Sequence, residues 1–280
     1  MSGWRRGSLK ALSSLAFTYV SICVLMFVAQ SRLLFHPTSI PEVEHMRLEA
    51  LPDVEALSLD VGGETLEGFF LAGRGDEPRP TILYFGGNAE SVWRQVDEKR
   101  WVANIGFNLV VVSYRGYDRS TGSASGEAIT SDALTVYDRV VERADVDAQR
   151  VLTWGVSLGT GVATHVACHR PVAGVILMAP YDTLASVAAA QYPFLPVRAL
   201  FQHEIDSLAC GAKIESPALI LHGDLDTTIA PSHGKALADA WGGDAQWVLL
   251  KDVGHNDISS HADVRTELTT FLQRCSDTAR

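Results

Sequence analysis

Apolar and polar positions along the chain fall into three regimes. Residues 11–31 form an unbroken uncharged run rich in Leu, Val, Phe, Ile and Ala. Residues 32–53 are a more polar connector punctuated by Pro37, Pro41 and Pro52. From residue 54 onward, short β-rich runs alternate with stretches of helical period. Val54–Asp60 and Thr65–Leu71 flank Val61-Gly62-Gly63-Glu64, which predicts an antiparallel hairpin. Strands are then expected at 81–85, 108–114, 150–156, 174–179, 217–221 and 246–251. Helices are expected at 89–105, 127–144, 157–169, 231–241 and 258–274. In the helix at 127–144, Ala133, Val136, Tyr137, Val140 and Val141 recur at i, i+3, i+4, i+7 and i+8, giving one inward face. Residues 181–216 follow neither period and read as an irregular insert around Tyr192-Pro193-Phe194-Leu195-Pro196. Strands buried on both faces and alternating with helices predict a mostly parallel sheet covered on both sides, in one α/β domain over residues 54–280.

The N-terminal run has the dimensions of a membrane span. As a helix, its 21 residues extend about 31 Å, close to the hydrocarbon thickness of a bilayer. Its polar members Ser13, Ser14, Thr18 and Ser21 are small hydroxyls that bond back to a helix backbone. Arg5, Arg6 and Lys10 lie in a basic segment, residues 1–10, and only Arg32 follows closely. The positive-inside rule then places the N-terminus in the cytoplasm and the remainder outside it. A cleaved signal peptide is the competing reading. It calls for a shorter apolar core and a small-residue cleavage site, which Ala29-Gln30-Ser31 supplies poorly, so an uncleaved anchor in the lipid bilayer fits better.

Charge sharpens the contrast between the two parts. The chain has 280 residues, 47% of them apolar, and a net charge of −10. Residues 1–32 hold four basic side chains and no acid, which leaves 19 basic and 33 acidic side chains in the rest. Such an acidic body repels phosphate backbones and argues against a nucleic-acid partner. Cys23 sits in the apolar run, and Cys168, Cys210 and Cys275 form no CxxC pair. These three leave room for one disulfide that the sequence does not assign. His165 and His169 share a helix at i, i+4 spacing around Cys168. With no third ligand group evident, they read as surface or packing histidines.

Gly155-Val156-Ser157-Leu158-Gly159 falls where a predicted strand gives way to a predicted helix. A serine raised on so sharp a turn needs strained backbone and small residues two before and two after it. The alternative is a serine that merely caps the helix. A hydroxyl becomes nucleophilic only when a base takes its proton, and His255, in the loop 252–257 after the last strand, is the histidine placed to do so. That imidazole in turn needs a carboxylate to fix its tautomer. His222-Gly223-Asp224-Leu225-Asp226 follows a buried strand. Asp226 is the choice there, because Asp224, directly after Gly223, is better placed to bond backbone. Asp182 is an outside candidate. Oxyanion donors are expected from the amide of Leu158 and from the loop Phe85-Gly86-Gly87-Asn88-Ala89-Glu90, where the Asn88 amide is preferred to that of Gly87.

In order along the chain, several stretches resemble the α/β-hydrolase family, and within it the membrane-anchored branch that includes depalmitoylase-like serine hydrolases. They are Leu33-Leu-Phe-His-Pro37, Tyr84-Phe-Gly-Gly-Asn-Ala89, Ser113-Tyr-Arg-Gly-Tyr117, Gly155-Val-Ser-Leu-Gly159, Tyr192-Pro-Phe-Leu-Pro196, His222-Gly-Asp-Leu-Asp226 and Gly254-His-Asn256. The resemblance implies a nucleophile at Ser157, an acid at Asp226 and a base at His255. It further implies an acyl ester or thioester substrate and neither metal nor organic cofactor. Many relatives carry His-Gly where this chain has Gly86-Gly87, which leaves the packing of that loop open, and Asp118 stands where glycine is frequent. Two other readings share the scaffold: a non-catalytic interaction module, and a peptidase or acyltransferase. The insert at 181–216 either roofs an apolar acyl site or is plain connecting structure.

Overall fold

The computed structural model describes residues 2–278 apart from Asp76, with side chains from Lys10 to Asp277. The side chains of Arg5 and Arg6 therefore lie outside the described residues. Helix α1 (Ser2–Leu34) contains the apolar run and is followed by α2 (Glu42–Glu49). The connector is thus partly helical, because Leu48 is buried at the sheet face beside Val54 and gives α2 an anchor. The hairpin β1 (Val54–Asp60) and β2 (Thr65–Leu71) forms as expected, followed by β3 (Arg79–Phe85).

The expected helix at 89–105 is instead broken into a 3₁₀ turn at Val92–Arg94, α3 (Gln95–Glu98) and α4 (Arg100–Asn104). Residues 89–91 are spent reversing the chain. Ala89 adopts φ 58°, and the Glu90 carboxylate bonds back to the Gly87 amide and the Tyr84 hydroxyl. Next come β4 (Asn108–Val112), α5 (Gly126–Val141), β5 (Val146–Val156), α6 (Leu158–His169) and β6 (Gly174–Met178). The insert is more regular than its sequence suggests, holding α7 (Leu184–Gln191), α8 (Val197–Leu200) and α9 (Ser207–Gly211). Helix α7 is capped by Thr183, whose hydroxyl accepts from the Ser186 amide, and its Ala-rich stretch supplies the propensity that periodicity did not. Strand β7 (Ala218–Gly223), α10 (Pro231–Ala240), β8 (Ala245–Leu250), a 3₁₀ turn at Ile258–Ser260 and α11 (Val264–Thr278) complete the chain.

The eight strands form one sheet in the order β1-β2-β4-β3-β5-β6-β7-β8, with β2 antiparallel to both its neighbours and the remainder parallel. Alternation along a strand feeds two cores. Along β4, Leu109 and Val111 face one side while Val110 and Val112 face the other. One core packs under α5, α6 and α10 and the other under α3, α4 and α11. Each fully buried Leu, Ile or Val contributes about 1.5–3 kcal/mol, so the central strands β3 to β7 make a rigid shelf. The loops at the carboxyl ends of those strands sit on it, where parallel α/β sheets place their sites.

Candidate active site

Ser157 ends β5 and precedes α6 with φ 49° and ψ −115°, a conformation that costs a non-glycine residue about 1–3 kcal/mol. Its neighbours explain why the turn is possible at all. A Cβ on Gly155 would lie 2.4 Å from the Gly159 carbonyl oxygen, and one on Gly159 would lie 2.0 Å from that of Phe85. The Ser157 side chain does not cap α6. Its Oγ instead lies 2.9 Å from His255 Nε2, while His255 Nδ1 lies 2.7 Å from Asp226 Oδ2. The two carbonyl-end loops after β7 and β8 thus deliver a carboxylate and an imidazole in line with the strained serine.

Asp226 is the more elaborately held partner. Its side chain is fully buried, and Oδ1 accepts the amides of Thr228 and Ile229, both at 2.9 Å. Burial alone would raise its pKa, yet hydrogen bonds from His222, His255 and the Ile229 amide hold the carboxyl well below the usual range. His222 carried no assigned role in the sequence reading. Its Nε2 sits 3.2 Å from Asp226 Oδ2 and donates to the Ile229 carbonyl at 2.9 Å, so a second imidazole steadies the acid from behind. The i, i+4 spacing across the turn was the available signal. Asp224 bonds backbone as expected, accepting the Val253 amide at 3.3 Å. Asp182 is engaged elsewhere, with His233 Nδ1 at 2.9 Å and with Ser186.

The loop after β3 separates its two candidate donors. The Gly87 amide is taken by Glu90 at 2.5 Å. Among the described residues, the amides of Asn88 and Leu158 have no hydrogen-bond partner. The Asn88 side chain is fixed on three sides. Its Nδ2 donates to the Leu34 carbonyl at 2.5 Å, and its Oδ1 accepts from the His36 amide at 3.0 Å and the Tyr117 hydroxyl at 2.8 Å. Tyr114 donates to the Gly86 carbonyl at 2.8 Å.

Glu90 therefore organises the loop that carries Gly86 and Gly87. It lies near Lys99, which is buried against the Tyr84 and Trp154 rings. Burial pulls the Lys99 ammonium down to about 8 against the opposing pull of Glu90 and Glu98. Replacing Glu90 with Ala strands the Gly87 amide and the Tyr84 hydroxyl, at about 1–3 kcal/mol for each unsatisfied buried group. The expected result is a melting temperature lower by about 5 °C or more and a roughly tenfold fall in kcat. Thermal unfolding and steady-state kinetics on one preparation check both. Asp118 does occupy left-handed backbone, at φ 50°, and accepts from Ser113 and Thr38 hydroxyls at 2.6 and 3.0 Å.

Away from this site, the third ligand group that the sequence left unseen beside His165 and His169 comes from another helix. Helices α6 and α9 bring His165, His169 and Cys210 together with their ligand atoms all within 4.8 Å, so the third ligand group exists and these side chains could hold a soft divalent ion. Cys168 and Cys210 share a hydrogen bond in which burial pushes the Cys210 thiol up to about 12. Both are free thiols, as are Cys23 and Cys275.

An apolar cavity of about 280 Å³ opens from Ser157 and Leu158. It is walled by Tyr181, by the insert residues Leu184, Val187 and Leu195, and by Phe27 and Leu33 of α1. The insert thus lines the cavity beside Ser157.

A sheet of this order, with a strained residue between its fifth strand and the following helix, has the architecture of the α/β-hydrolase fold. The family model for the alpha/beta hydrolase fold matches residues 80–208, and the chain has that fold. It is 28% identical over 259 residues to the uncharacterized protein Rv2307c of Mycobacterium tuberculosis, covering 92% of this chain and 91% of that one. It is 31% identical over 186 residues to the lysophosphatidylserine lipase ABHD12 of Danio rerio, covering 57% of this chain and 47% of the lipase. Among solved structures it is similar to acetyl xylan esterase 1 from Thermoanaerobacterium sp. (TM-score 0.66, 17% identity, 89% of this chain and 98% of that one). It is likewise similar to the 2,6-dihydroxy-pseudo-oxynicotine hydrolase (TM-score 0.71, 17% identity, 85% and 73%). At this identity the structural likeness is one of fold.

Proposed function

We propose that the chain is a membrane-anchored serine hydrolase that cleaves acyl esters or thioesters through an acyl-enzyme. The observation that carries the reading is the unbroken chain from Asp226 Oδ2 through His255 to Ser157 Oγ, ending at the mouth of an apolar cavity. His255 Nε2 takes the Ser157 proton as Oγ attacks the acyl carbon, and then returns it to the leaving oxygen or sulfur. Asp226 accepts from Nδ1–H and stabilises the imidazolium. The amides of Leu158 and Asn88 receive the oxyanion, with the N-terminus of α6 adding its dipole. Water activated by the same imidazole clears the acyl group. A lipase among the relatives and an esterase among the neighbouring folds are in keeping with ester chemistry. Helix α1 holds a stretch, Lys10–Leu34, long and apolar enough to cross a membrane, which supports the anchor.

The test combines covalent labelling with a substrate panel. A fluorophosphonate on the full-length protein is expected to modify Ser157, identified by peptide mapping. p-Nitrophenyl esters and acyl thioesters are expected to turn over faster than peptide amides. A folded protein that leaves Ser157 unlabelled rules out the hydrolase reading, and a preference for amides moves it to the peptidases.

A further inference from the structure

We infer that α1 is itself a wall of the acyl site, and that the substrate is a bilayer-resident lipid ester whose acyl chain passes sideways from the leaflet into the cavity. This rests on the serine-hydrolase reading and adds to it the source and class of the substrate. The cavity runs from Leu34, whose carbonyl is bonded to Asn88 beside Ser157, to Met26. Eight residues of helix separate these ends, about 12 Å, most of the depth of one leaflet, which is about half of 30 Å.

At the same depth the opposite face of α1 is apolar and open. Val28 is 74% exposed and Leu25 65% exposed, directly beside the cavity-lining Met26 and Phe27. In a helix long and apolar enough to span a bilayer, lipid gives such a face a favourable environment, so lipid and cavity share one level. The uncharged run ends at the exposed Arg32, two residues before Leu34. The guanidinium marks the headgroup layer and so sets Ser157 near the depth at which the ester linkages of a lipid lie.

The insert is fastened to this helix and not merely laid beside it. The Gln30 side chain donates to the Leu200 carbonyl at 3.2 Å and accepts the Gln202 amide at 2.8 Å. Ser31 Oγ meets His203 Nε2 at 2.8 Å, and the Tyr19 hydroxyl donates to the Phe194 carbonyl at 3.0 Å. Phe194, 64% exposed, continues the apolar surface of α1 onto the insert. Polar groups inside an apolar helix are thereby spent on holding the roof in register with the bilayer.

The experiment reconstitutes the full-length protein in vesicles that carry a fluorogenic long-chain acyl ester lipid, either in the same membrane or in separate vesicles. A water-soluble acetyl ester in the bulk reports the triad independently. Hydrolysis in the shared membrane is expected to exceed that across vesicles at least about tenfold. Leu33→Trp on α1 and Val187→Trp on α7, each filling the cavity from one wall, are expected to lower the long-chain to acetyl ratio of kcat/KM at least about tenfold. Fluorophosphonate labelling and thermal unfolding show that each variant is folded, and two variants from opposite walls guard against one that is not. Equal rates in the two vesicle arrangements, or a ratio that the α1 variant leaves unmoved while the α7 variant lowers it, overturn the inference while acetyl ester turnover keeps the hydrolase reading. Loss of acetyl turnover in the unmodified protein overturns both.

Discussion

Ser157→Ala is expected to lower kcat/KM for an acyl ester by about 10⁴-fold or more, with little change in thermal stability. The magnitude follows from the division of labour at the site. On the proposed mechanism no acyl-enzyme forms without Oγ, and the remaining amides of Leu158 and Asn88 only polarise a bound carbonyl for attack by water, leaving the residual acceleration that oxyanion donors and binding provide. The small stability change follows from the local structure. Ser157 Oγ makes no helix cap, and its hydrogen bond goes to His255, a side chain that is 14% exposed. Alanine inherits the same left-handed backbone, so the strain of the turn is neither relieved nor increased. Fluorophosphonate labelling should vanish in parallel with turnover. Retention of more than about a hundredth of the wild-type rate would place the nucleophile elsewhere.

The fold was legible wherever burial imposed a period. The central strands, buried on both faces, and α5, buried on one, stood out because their side chains must alternate or recur to reach a core. What the sequence left hidden has specific causes. Helix α7 was missed because Leu184–Gln191 is apolar almost throughout, and a uniformly apolar segment carries no period. The break between 89 and 105 was missed because it depends on Glu90 reaching back to Gly87 and Tyr84, contacts that no local pattern encodes. At the site, the serine turn and its two glycines were readable because sterics forbid other residues there. That Asp224 would bond backbone, leaving Asp226 to reach His255, was readable from turn geometry. Glu90 and His222 were not, since each acts through a partner that only the folded chain supplies. The junction of α1 with the insert also lay beyond reach, being made of contacts some 170 residues apart.

Asp226→Asn should separate the chemical role of the carboxylate from its structural one. The amide cannot hold the Nδ1–H tautomer of His255, so Nε2 no longer faces Ser157 as a proton acceptor, and kcat is expected to fall about 10⁴-fold with modest change in KM. Stability should respond with a pH dependence of defined sign. In the folded chain the Asp226 carboxyl is held below its usual range, despite burial, by His222, His255 and the Ile229 amide. Its ionised form therefore contributes to folding above the unfolded pKa of about 3.9, and that contribution drains away as pH falls towards the lower folded value. An asparagine has no such titration. The melting temperature of the wild type should thus exceed that of the variant at pH 6–7 and lose part of this margin below about pH 4. The surface pairs Arg170–Asp138 and Arg143–Asp145 also hold their carboxyls low. They are common to both proteins and cancel in the difference, so the closing gap reports the buried carboxylate alone. A gap independent of pH from 7 to 3 would mean that Asp226 enters the fold through its shape and not its charge, and the triad would then lack the anion that its histidine requires.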